Sequence, residues 1–423
     1  MRDRFFSRRH LPWLLFVCAT PLVGCGSSTK HPSGASDDER EKYLNETSTN
    51  WAMARGYPRG TAFNPFEQEL NPQTVADLDV VWEAPSQAQV AVQHTERVFS
   101  TAGEAYDLQS GELLWSAEQA LPTATVCKGA LFATGPSIEK RSVKSGELSY
   151  SVEVGADAAL FSPPSAKDSK VFFATAAESA GNTSEPGGSY VAFDVVEKTA
   201  QTIDVPGKDY RTLAPAALTS GMLYSVALEP TRTGFRYVAF ATVFDADAAM
   251  NRKPWATVLD DEVSSPAELP RLGAMVIGAR VFVTSADRRA VVALDQRTGD
   301  VLWRTSSAGV IESLAVNFDF AYAAGTGDDG QVGIDGFAFD TGEMQFSLGF
   351  GAGTLTGQLA IGGDLVYLGT GEGALLAIDG SSGSLLKRVE LGGTVGAPIV
   401  TQGKVFVGTG ERIVALGLPP ATP

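Results

Sequence analysis

Cysteine is almost missing from this chain: Cys18, Cys25 and Cys127 are all it has. Cys18 sits inside an apolar N-terminal stretch and Cys25 ends it, so Cys127 alone is left to a folded domain. That excludes a framework of intrachain disulfides. In TATVCKG, Cys127 reads as a small buried apolar residue rather than a nucleophile. Histidine is as scarce, with His10, His31 and His94. Only His94 lies beyond the N-terminal region, so a multi-histidine metal site is excluded, and a Ser-His-Asp arrangement would have to use it. It falls in VAVQHTERVF, between two strand-like runs, as a solvated turn residue. Positive charge is also in deficit: 33 Lys and Arg against 49 Asp and Glu, a formal net charge of −16. A chain this acidic has no electrostatic hold on nucleic acid. Its N-terminal apolar run, LPWLLFVCATPLVG, has 14 residues, too few to cross a bilayer as a helix.

What that N-terminus does contain is ordered like an export signal. Arg2, Arg4, Arg8 and Arg9 precede the apolar run, and small residues lead up to Cys25. LVGC resembles the lipobox of bacterial lipoproteins, which implies cleavage after residue 24 and lipid on Cys25. SRRHL is similar to a twin-arginine signal, which leaves the export route open. Gly26 behind the lipidated cysteine favours an outer-membrane destination in a Gram-negative cell, facing the periplasm or the cell surface. Residues 25–50 are polar and are expected to be a flexible tether.

From Trp51 onward one phrase recurs: AYDLQSGELLW at 105–115, ALDQRTGDVLW at 293–303, AFDTGEMQF at 338–346 and AIDGSSGSLL at 377–386. Aligned on its aspartate position, it returns at Asp107, Ser142, Asp194, Asp245, Asp295, Asp340, Asp379 and Gly417, at spacings of 35 to 52 residues. Each unit resolves into four apolar runs cut by glycine turns, the pattern of antiparallel hairpins rather than of a 3.6-residue helical repeat. The aspartate accepts backbone N–H groups across the last turn, and Gly111, Gly146, Gly299, Gly342 or Gly383 supplies the positive φ that reverses the chain. The fourth run ends in an aromatic: Trp115, Tyr150, Trp303 or Phe346. The last unit stops at Leu418 after three runs, while DLDVVWEAP at 77–85 carries Trp82 ahead of the first unit. The expectation is an all-β, eight-bladed β-propeller over residues 51–418, its four-stranded antiparallel blades closed into a ring by an N-terminal strand in the last blade. Residues 419–423 are a short tail. Insertions at 178–189 and 229–240 are expected as loops or extended hairpins.

ALDQRTGDVLW resembles the pyrroloquinoline-quinone (PQQ) repeat, in which the terminal tryptophan docks between adjacent blades. The opening segment from Asn50 to Pro85 is similar to that of quinoprotein alcohol dehydrogenases. With the lipobox, size and repeat content resemble the BamB-like lipoproteins of the outer-membrane β-barrel assembly machinery. The first resemblance implies an oxidoreductase using PQQ with calcium. The second implies a non-catalytic, lipid-anchored scaffold, monomeric, with an envelope protein as partner and no cofactor. A ligand-binding or sensing propeller is a further alternative. The dehydrogenases often carry a pair of adjacent cysteines over the quinone and some a CxxCH haem motif, and this chain has neither. No residue matches a catalytic motif of that family.

Two loops stand out as candidate sites. TGDDGQVGID places Asp328, Asp329 and Asp335 in a glycine-rich segment that could offer oxygen ligands to calcium, although the spacing is not that of an EF-hand. TRTGFRYVAF gathers Arg232, Phe235, Arg236 and Tyr237, residue types enriched at protein interfaces, in an otherwise acidic chain.

Overall fold

The computed structural model describes residues 34–419, apart from 47–49, 54, 57, 135–136, 154–157, 162, 178–188, 207–209, 213, 251 and 264–271. The export signal, Cys25, residues 26–33 of the tether, nearly all of the 178–189 insertion and residues 420–423 lie outside that set.

Eight antiparallel sheets follow one another along the chain and form the blades of a propeller. Seven are contiguous: 90–116, 124–153, 158–203, 211–263, 275–306, 309–352 and 360–390. The eighth takes three strands from 399–417 and its fourth from Asp79–Pro85, with Val80 opposite Leu416 and Glu83 opposite Val414. The ring is closed where the sequence pattern expected it. Each blade is threaded from the axis outward, and burial follows that order. The third strand of the fifth blade, Ala290–Asp295, is buried along nearly its whole length. The fourth, Val301–Ser306, buries only Trp303 fully. Inner strands are covered on both faces by neighbouring blades and so read as continuous apolar runs, whereas the rim strand is wet.

The repeated turn explains itself at the atomic level. Asp107 Oδ1 accepts the N–H groups of Gln109 and Ser110 at 3.0 and 2.8 Å, and Asp295 and Asp379 repeat the pattern. Gly111, Gly146, Gly299, Gly342 and Gly383 have φ between +69° and +78°. A second constraint acts on them. The aromatic of the preceding blade lies flat on each glycine, so that a Cβ on Gly299 would come within 2.5 Å of the Trp255 ring. The indole nitrogens of Trp82, Trp115, Trp255 and Trp303 donate to carbonyls in the next blade's turn at 3.1–3.2 Å. One short phrase thus builds both the hairpin and the joint between blades.

Three details depart from the sequence reading. Asp340 is not the turn-capping residue of the sixth blade. The position four before Gly342 is Ala338, whose carbonyl accepts Gly342 N–H at 2.8 Å, and Asp340 instead pairs with Arg280 of the fifth blade at 2.8 Å. Trp255 belongs with the docking aromatics, although an insertion in front of it moves it out of register with the repeat. The third difference is in the stretch expected to be tether, where Asp37–Glu46 is an α-helix (α1). Ser36 and Glu39 form its capping box, with the Ser36 N–H reaching Glu39 Oε2 at 3.1 Å and the Glu39 N–H reaching Ser36 Oγ at 3.4 Å. Tyr43 anchors α1 in the propeller core, edge-on to Phe318 at 5.3 Å and hydrogen-bonded to Thr61 Oγ1 at 2.6 Å.

Candidate functional site

The segment that follows α1 winds around the axis against the innermost strands. Its carbonyls are taken up in order around the ring: Trp51 by Gln93 N–H, Ala52 by Val126, Pro58 by Leu218, Arg59 by Val276, Thr61 by Val316 and Ala62 by Ile361, at 2.7–3.1 Å. Asn64 Nδ2 then donates to Val400 O at 2.9 Å. These contacts touch seven of the eight blades. The buried Glu67 carboxylate clasps the end of this strap, accepting N–H groups from Glu69, Leu70 and Gly403 at 3.0–3.1 Å. Burial pushes its pKa up against the opposing effect of those donors.

Two arginines of the strap are carried inside. Arg59 stacks over Tyr43 at 5.4 Å. Arg55 is only 5% exposed and donates a long hydrogen bond from Nη1 to Ala274 O at 3.4 Å, while its Nε and Nη2 have no partner. It borders a cavity of about 10 Å³ walled by Met53, Pro163, Pro164, Ser165, Pro215 and Ala216. Burial pulls its guanidinium pKa down to about 10. Sequence reasoning missed this residue: an arginine in ARGYPRG carries no signal of burial.

The candidate loops fare differently. Residues 229–240 are the tip of an extended hairpin, with strands Met222–Pro230 and Phe235–Val243. Arg232 is exposed at its turn. Arg236 is exposed but charge-paired with Glu229 at 3.7 Å and Asp261 at 3.3 Å. Tyr237 is buried, and Phe235 packs on the core shared by the fourth and fifth blades. The four residues therefore do not form one exposed patch, and only Arg232 and Arg236 face solvent.

Asp328, Asp329 and Asp335 line a glycine-walled cavity of about 430 Å³ in the sixth blade, and each is already engaged by protein donors. Asp328 is held by Arg289 at 2.6 Å, and that partner keeps its carboxyl below the usual range. Asp335 is buried and accepts from Ser307 Oγ and Ala308 N–H at 2.6 and 2.7 Å, while Asp329 caps its own turn. Among the described residues no three His, Cys, Asp or Glu side chains converge as metal ligands. Cys127 is buried, with burial raising its thiol to about 11, as an inert packing residue requires. His94 ends a strand half-buried rather than lying free in a turn, and burial followed by the charge of Arg97 lowers its pKa.

Eight blades seated on one another through turn glycines and terminal aromatics define a PQQ-repeat β-propeller. More particularly, residues 211–337 and 328–417 match the family described as outer membrane protein assembly factor BamB. Among solved structures the chain is similar to a quinohemoprotein alcohol dehydrogenase of Pseudomonas putida HK5, with a TM-score of 0.67 and 12% identity over 92% of this chain and 83% of that one. A europium-containing methanol dehydrogenase gives 0.63 and 14% over 87% and 91%. BamB from Moraxella catarrhalis gives 0.56 and 15% over 82% and 99%. At these identities the likeness is one of fold. No curated protein matches the sequence significantly.

Proposed function

We propose that the chain is a non-catalytic protein-interaction scaffold of the bacterial envelope, BamB-like in role and held at a membrane by lipid on Cys25. The observation that carries the reading is the match of residues 211–417 to the BamB family description, on a ring closed by its own N-terminal strand. LVGC at 22–25 supplies the anchor. No helix among the described residues is long and apolar enough to cross a membrane, so attachment in this reading rests on lipid.

The dehydrogenase neighbours raise PQQ with calcium as an alternative, which the lining of the cavity beside Arg55 does not favour. The cavity beside Arg55 is walled, among the described residues, by a guanidinium, prolines, Met53 and Ser165, without a carboxylate. Calcium would lack an acidic ligand there. The scaffold needs no cofactor.

The test is a photoreactive residue at Arg232 in otherwise unaltered cells, with labelled fatty acid followed in parallel. The expected result is a cross-link to a component of the outer-membrane β-barrel assembly machinery and label lost in Cys25→Ala. Cross-links confined to unrelated abundant proteins would remove the assembly role. Tight calcium-dependent PQQ binding with alcohol turnover would replace the scaffold with the enzyme.

A further inference from the structure

We propose that Arg55 forms, between the strap and the inner strands of the third and fourth blades, a binding site for a small monovalent anion of chloride size. Taking a guanidinium out of water without a counter-charge costs several kcal/mol, and buried cations are therefore paired. Arg55 is buried and is met by a single carbonyl at hydrogen-bond range, with Nε and Nη2 left over. No carboxylate is among the described residues that line its cavity, although the chain as a whole carries −16. The missing negative charge has to come from solution.

The surroundings are built to hold the guanidinium where it is. A Cβ on Gly273 would lie 2.8 Å from Arg55 Nη1 and 2.2 Å from Pro215 O, and one on Gly60 would lie 3.6 Å from Arg55 Cζ. Gly273 thus leaves the space that the side chain fills, with Gly60 in ordinary contact beside it. Gly60 follows in the same strap, whose carbonyls at Pro58 and Arg59 are tied to the fourth and fifth blades. The position of the charge is therefore set by backbone hydrogen bonds. Ser165 Oγ is already engaged with Ala216 O at 2.7 Å, so it does not compete for Arg55. Size then selects the ligand. A cavity of about 10 Å³ is close to the room that one water-sized sphere requires. Of the common anions only a monatomic halide comes near that size, whereas a phosphate, a dicarboxylate or a fused-ring quinone is far too large.

The experiment uses the full-length protein in sodium gluconate, titrated with sodium chloride at constant ionic strength and followed by thermal unfolding. A saturable rise of roughly 2 °C is expected. The rise should be absent in Arg55→Gln. Unfolding that ignores chloride in the unaltered protein overturns the site, and so does an equal rise in Arg55→Gln. Should that variant fail to fold, crystals of the unaltered protein grown in bromide decide the matter. An anomalous peak within hydrogen-bond reach of Arg55 Nη2 supports the site, and a featureless cavity beside bromide bound elsewhere overturns it.

Discussion

At the scale of single residues, the joint between blades rests on a glycine whose conformation and whose lack of a side chain are both needed. Gly299 has φ +78° and lies under the Trp255 ring, with Thr257 Oγ1 2.8 Å from where a Cβ would sit. Gly299→Ala is expected to cost roughly 2–4 kcal/mol in urea unfolding, from left-handed strain added to displacement of the indole. The third blade provides a natural contrast. Lys198, at φ +58°, stands where the glycine would be, and its partner is Tyr150 rather than tryptophan, with Lys198 Nζ over the ring at 4.9 Å. Lys198→Gly relieves strain but gives up that contact and adds chain entropy, so a change within about 1 kcal/mol is expected. Equal losses in the two variants would mean that the seat under the aromatic is not what the glycine provides. The aspartates of the same turns carry a pH dependence. The Asp107 carboxyl is held below its usual range mainly by Ser110 N–H, and that of Asp194 mainly by Glu197 N–H. In such a window the unfolded chain binds more protons than the native one. Their stabilisation is therefore whole above about pH 4 and is lost as pH falls through the lower native values. The urea midpoint should drop between pH 4 and pH 3, and less steeply in Asp107→Asn with Asp194→Asn.

At the scale of elements, what could be read from the sequence divides cleanly by mechanism. Side-chain chemistry repeated at fixed offsets was legible: ALDQRTGDVLW implies a capped turn, a left-handed glycine and a docking tryptophan, and the structure has all three. The same logic misplaced Asp340, because FDTG imitates the phrase while the chain turns two residues earlier. It also passed over Trp255, which the insertion before it removes from register. Backbone-mediated structure leaves no such trace. The strap from Trp51 to Asn64 is held chiefly by its carbonyls, which any residue possesses, so neither its course nor the burial of Arg55 could be foreseen. Helix α1 was hidden for a related reason: DDEREKYLNE is polar apart from Tyr43 and Leu44, and of those two only Tyr43 is buried. Its capping box, SDDE, was the available signal. Two measurements test these elements. Removing residues 1–64 should speed amide exchange at Gln93, Val126, Leu218, Val276 and Val316 by at least about tenfold, since each then loses its acceptor. Unchanged protection would show that the strap merely lies on the ring. Tyr43→Ala should open 37–46 to proteolysis while leaving the blades' exchange intact; resistance equal to that of the unaltered chain would show that Tyr43 is not the anchor.

At the scale of the molecule, the seam between first and last blades decides whether the ring is a closed, soluble object. Strand Asp79–Pro85 covers Arg412–Gly417, in which Ile413, Val414, Ala415 and Leu416 are fully buried. Trp82 then docks on Gly111 of the first blade, so that one strand joins both ends of the chain. Without it the eighth blade would present an unpaired apolar edge, the arrangement that recruits strands from other molecules. Two truncations separate this effect from that of the strap. A chain lacking residues 1–64 keeps the seam and is expected to remain a monomer by light scattering. A chain lacking residues 1–85 loses the covering strand and should form dimers or larger species at micromolar concentration. Both truncations remain strongly acidic, which works against association at low salt, so the difference should widen as salt screens the repulsion. Should both truncations stay monomeric at high salt, the edge at 412–417 is protected by something other than its partner strand, and ring closure is not what keeps the propeller apart from its copies.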